Sequence, residues 1–180
     1  MRPMRFVFVI FICFYCSFFL SAQKEKREPL TEAQVEQIRE AGIDPMERAK
    51  IYTKILDEHA EALKALGKRS KSAARSHRME EELENFTALM DELGSNLDTY
   101  GDRKADLRKS LKPLADSTQK WLEMLRGLLP EPAFELAIKE AIESGQDLAD
   151  EASRLLKEQT DYFNLHKDEQ GQDRAEPKDR

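Results

Sequence analysis

The chain has 180 residues, with 29 Lys and Arg against 35 Asp and Glu and a net charge of −6 at neutral pH. That balance excludes the nucleic-acid binders whose affinity rests on a basic field. With two cysteines in the whole sequence, the chain must be stabilised by its own packing, and its length suits one domain with a real core.

Arg2 and Arg5 precede an apolar run from Phe6 to Leu20, followed by Ser21 and Ala22. These are the charged start, apolar middle and small-residue end of a secretory signal peptide, residues 1–22, with cleavage expected after Ala22. The run falls short of the roughly 20 residues a spanning helix needs, which favours cleavage over retention as a membrane anchor, and no stable membrane insertion is expected afterwards. Cys13 and Cys16 form Cys-x-x-Cys, a redox or metal signature beside folded structure. Both lie inside the export segment, so the mature chain is expected to hold no cysteine. Its charge would be 27 cations against 35 acids, a net of −8. The expected location is the bacterial periplasm or the cell exterior.

Residues 23–29 form a polar lead-in to a helical domain expected over residues 30–166. The first helix starts at Leu30, where Thr31 caps the free amides and Gln34 reaches back to the Thr31 backbone. It carries Leu30, Val35 and Ile38 and ends at Gly42. Leu30-Thr31-Glu32-Ala33-Gln34, followed by Ile38 and Arg39, is similar to the Leu-Thr-x-x-Gln motif of the periplasmic helical chaperones of the envelope-stress type. The resemblance implies a small, disulfide-free, all-helical protein that binds unfolded clients on a concave surface.

In the second helix Asp44 is the cap, Pro45 takes the first helical position and Glu47 completes a capping box. A broad stripe of Ile51, Tyr52, Ile55, Leu56, His59, Leu63 and Leu66 follows, closed by Gly67. Next come Lys68, Arg69, Lys71, Arg75 and Arg78 with no acid among them, before Glu80, Glu81, Glu82 and Glu84 reverse the sign. Helix dipoles favour this order. The same five cations are the candidate interaction patch, able to meet an anionic surface, although the tract lacks the apolar partners of a membrane-surface helix.

The third stretch, Met79 to Leu128, organises the rest. Steps of three and four residues pick out Leu83, Phe86, Met90, Leu93, Leu97, Tyr100, Lys104, Leu107, Leu111, Leu114, Thr118, Trp121, Leu125 and Leu128. Lys104 and Thr118 are the polar exceptions, and Lys104 reads as a residue that sets register or reaches out to solvent. An apolar seam of period 3.5 belongs to a helix that other helices must cover. Gly94, Gly101 and Pro113 threaten continuity, yet the phase crosses all three without slipping. The expected fold class is therefore all-α, an elongated antiparallel helical hairpin or bundle of coiled-coil character with one long, kinked central helix of roughly 75 Å. The competing arrangement folds this helix in half at Gly94 to Gly101 and gives a compact four-helix bundle. The elongated form leaves the seam singly covered, so a second copy could complete a homodimer.

A turn at Gly127 to Pro132 leads to the fourth helix, whose stripe runs Phe134, Ile138, Ala141, Gly145, Leu148, Ala152, Leu155, Gln159, Tyr162 and His166. Residues 167–180 read as a disordered polar tail.

Signals for chemistry are few. A di-iron bundle needs Glu three residues before an inward His, but Leu56, Ala74 and Phe163 precede His59, His77 and His166. Asp98, Asp102 and Asp106 fall on the outer face without the glycine turn of a calcium loop. His59 and His166, on apolar stripes, read as core-edge residues, with a pH-sensitive role as the alternative. No catalytic residue, cofactor or metal site is expected. The functional expectation is a non-enzymatic exported protein acting through protein contact or self-association, with no nucleic acid involved; the alternative is a periplasmic stress-type chaperone.

Overall fold

The computed structural model describes residues 29–170. The expected signal segment, the lead-in up to residue 28 and the part of the expected tail from residue 171 lie outside the described residues. Five helices follow one another: α1 Glu32–Glu40, α2 Pro45–Gly67, α3 Ala73–Asp102, α4 Arg108–Gly127 and α5 Glu135–Leu165, closed by a 3-10 turn at Lys167–Glu169. The described residues contain no strand.

The starts of the first helices follow from local hydrogen bonding. Thr31 accepts from the Gln34 amide at 3.3 Å while Gln34 Oε1 accepts from the Thr31 amide at 2.8 Å, so the Thr-x-x-Gln spacing has a capping role in α1. Asp44 accepts from the amides of Met46 and Glu47 with Pro45 behind it. The Glu47 side chain turns to Lys50 at 2.6 Å instead of completing the expected capping box. Gly42 takes φ +60°, the left-handed turn that glycine adopts most easily after a helix.

Helices α2 to α5 form a compact four-helix bundle, and α1 lies back along α2, with Gln34 donating to Glu58 at 3.3 Å. Around the bundle the order is α2, α3, α5, α4. Neighbours α2 and α3 are antiparallel, as His59 opposite Glu82 and Tyr52 opposite Glu92 show. Burial, then the Glu92 carboxylate, pushes the Tyr52 phenol well above the ordinary tyrosine range. Helices α3 and α5 run parallel, since Asp91 meets Ser144 and Asp98 meets Arg154. So do α2 and α4, where Asp57 accepts from the Trp121 indole at 2.8 Å. Between α3 and α4 the chain crosses the bundle diagonally.

That crossing corrects the single long central helix expected from periodicity. The seam residues Leu83, Phe86, Met90, Leu93, Leu97 and Tyr100 are buried on α3, and Leu107, Leu111, Leu114, Thr118, Trp121 and Leu125 are buried at the start of and along α4. The two halves face each other across the core, with Phe86 and Trp121 packed edge to face at 5.8 Å. One strip of apolar residues is thus folded upon itself. Coverage comes from within the chain, and the half-covered seam that motivated a homodimer is absent.

The reversal falls immediately after Gly101. Lys104 takes φ +56°, its amide donates to the Gly101 carbonyl at 2.9 Å, and the Ala105 amide donates to the Tyr100 carbonyl at 3.1 Å. This paired closure ends a helix by giving its last carbonyls partners. Helix α5 completes it through buried Gln159, whose Oε1 accepts from the Leu107 amide at 2.8 Å and whose Nε2 donates to the Ala105 carbonyl at 2.7 Å. The break sits within one seam repeat, so the phase survives it. Pro113 stays inside α4 on an exposed position, where a missing amide bond disturbs no packing. Gly101 permits close approach, since a Cβ there would lie 2.9 Å from Leu155; at Gly94 the equivalent contact, with Leu148, is an ordinary 4.0 Å.

Candidate docking site

The basic tract joins α2 to α3 at the end of the bundle where α4 also gives way to α5. Ser72 caps α3 by accepting from the Arg75 amide at 3.2 Å, which turns the chain and brings Arg75 inward. The five expected patch residues then separate. Arg75 is buried: its Nε donates to the Leu66 carbonyl at 3.1 Å, its Nη1 to Glu131 at 2.7 Å, and its guanidinium lies 5.6 Å from the Phe134 ring centre. It ties the two loops together and lines the floor of the hollow between them with little exposed surface of its own. Lys68, Arg69, Lys71 and Arg78 are exposed.

Glu131 is the anion at the centre of this tie. Besides Arg75 it accepts from the Ser76 hydroxyl at 2.9 Å, and Lys71 Nζ lies 3.4 Å away. The Ser76 hydrogen bond, followed by those of Arg75 and Lys71, holds the Glu131 carboxyl below the ordinary carboxylate range despite the opposing effect of desolvation.

Between the two loops lies an open cleft of about 440 Å³. Lys64, Lys68, Arg69, Lys71 and the buried Arg75 contribute cations to its lining; Met124 and Leu128 over buried Met79 supply apolar surface, and Leu129 stands at the edge, 76% exposed. Glu123 and Glu131 are its acids, and Arg78 is outside the lining. Lys64, Leu128 and Leu129 escaped the sequence reading of this patch. The tract looked short of apolar partners because those partners come from the α4–α5 loop, nearly sixty positions downstream; the Leu128-Leu129-Pro130 run was the available signal. Chemically, the cleft can pair carboxylates at its rim while an apolar side chain occupies its middle.

Elsewhere the candidate residues are engaged in the fold. His59 meets Glu82 at 2.7 Å between α2 and α3, and His166 stacks on Tyr162 at 4.2 Å. Exposed His77 lies 3.4 Å from Glu81. Asp98 pairs with Arg154 and Asp106 with Arg108, so the three aspartates of the outer face are split across the chain reversal. Among the described residues no group of three or more metal-ligating side chains comes together, and no helix is long and apolar enough to cross a membrane. No family model, curated protein or solved structure matches this chain.

Proposed function

We propose that the protein is an exported, non-enzymatic helical bundle that acts by holding another protein at the end where the α2–α3 and α4–α5 loops meet. The observation that carries this reading is the cleft there, in which exposed cations and apolar side chains line the same hollow. A mixed lining of this kind suits recognition, because apolar contact supplies affinity while charge sets orientation. The remaining exposed large apolar side chains among the described residues are scattered: Ile43 follows α1, Leu165 ends α5, and Val35 is on α1. Leu136, in the first turn of α5, belongs to the loop end.

The test is site-specific photo-cross-linking in the host cell. A cross-linking amino acid in place of Leu129 should give discrete protein adducts, while the same group in place of exposed Asp150 on α5 should not. Adducts absent from position 129, or identical at both positions, would remove the reading.

A further inference from the structure

We infer that the segment held in this cleft is an acidic stretch of a partner protein with a bulky apolar side chain at its middle; this rests on the protein-binding reading above. The first support is local charge. Residues 64–78 and 123–139, which form this end of the bundle, contain eight Lys and Arg against three Glu, on a chain whose net charge is −6. The second is that the protein pairs only part of that charge itself, Lys64, Lys71, Arg75 and Lys139 having carboxylate partners. Glu131 is already occupied by Arg75, Ser76 and Lys71. Glu61 serves Lys64 at 2.6 Å, and the Arg69 side chain has no anionic partner among the described residues. Rim cations left unpaired attract and orient a carboxylate-bearing partner.

The third support is the shape between those cations. The surface of Met124 and Leu128 over buried Met79, with Leu129 standing up beside it, is a hollow. A hollow receives a projecting side chain, and methionine adapts to whichever shape enters. A bilayer presents a broad front that would rest on the rim cations without filling the hollow, so a protein segment fits better than an anionic membrane.

The experiment measures fluorescence anisotropy of the purified protein with three labelled synthetic peptides. One carries Glu and Asp around a central Phe-Leu pair, one replaces its acids by Gln and Asn, and one replaces Phe-Leu by Ala-Ala. Vesicles of phosphatidylglycerol are assayed in parallel by flotation. The first peptide should bind about tenfold more tightly than either of the others and weaken as salt rises. The double variant Lys68→Glu with Arg69→Glu should lose about tenfold in affinity at unchanged thermal midpoint, and Lys157→Glu on the outside of α5 should lose none. Failure of the acidic peptide to bind, binding indifferent to the double variant, or flotation with vesicles in place of peptide binding overturns the inference. The cross-linking experiment separates the two levels. Protein adducts at position 129 that persist in the double variant would leave the docking reading standing and remove the acidic partner. Absence of adducts would remove both.

Discussion

At the scale of single residues, the fold turns on Lys104 and Gln159. A side chain in the left-handed region costs about 1–2 kcal/mol, which the Lys104 ammonium partly offsets by lying 4.7 Å from the Tyr162 ring centre. Lys104→Gly removes the strain but also that contact, and glycine loses more backbone freedom on folding. Stability in urea should therefore stay within about 1 kcal/mol of the parent. Lys104→Val keeps the strain, adds a β-branch and loses the contact, and should cost about 2 kcal/mol. Gln159→Leu is more severe, because it leaves the Leu107 amide and the Ala105 carbonyl without their partners in the core. At about 1–3 kcal/mol for each stranded group, a loss of roughly 3 kcal/mol or more is expected from the same denaturation midpoints. Gln159 was visible in the sequence as a polar member of the α5 stripe. Its purpose was not, since its partners lie more than fifty positions away and are backbone atoms that any residue carries.

At the scale of elements, the tie between the α2–α3 and α4–α5 loops has a pH signature. The Glu131 carboxyl is depressed in the folded protein relative to its ordinary value of 4.5. Its contribution to stability is therefore complete above that value and is lost as the pH falls below it toward the folded pKa. Urea midpoints measured between pH 6 and pH 3 should fall more steeply for the parent than for Glu131→Gln, which has no carboxylate to protonate; identical slopes would show that the tie does not form in solution. Arg75→Met should cost about 1.5–3 kcal/mol by removing the charge-assisted bond to Glu131 and the bond to the Leu66 carbonyl, whereas Lys68→Met should stay within about 0.5 kcal/mol. The elements themselves were largely legible, because Thr31, Asp44 and Pro45 announce helix starts through bonds made within three residues. Ser72 and Arg75 form the same kind of start inside a tract that charge alone made look like open surface. The role of Arg75 as a tie depended on Glu131, which sequence spacing could not place beside it.

At the scale of the whole molecule, the unbroken phase of the seam and the break in the helix are compatible, and that compatibility can be tested. Removing residues 103–106 brings Leu107 to three positions after Tyr100, a helical spacing that lets the strip continue along one helix with a local overwinding where two three-residue steps meet, while the diagonal reversal is lost. The expected product is a dimer in which each copy lends its α4 and α5 to the other, with doubled mass by light scattering and unchanged helicity by circular dichroism. A monomer of parent mass would show that the crossing can be rebuilt from fewer residues. The surplus of cations at the end where the α2–α3 and α4–α5 loops meet has a further result. On a rod that is negative as a whole, that tip is a local positive field, and the field reaches farthest in dilute salt. At physiological ionic strength the screening distance is about 8 Å, well short of the rod's length, so an approaching anion senses the near tip alone and the bundle meets it head first.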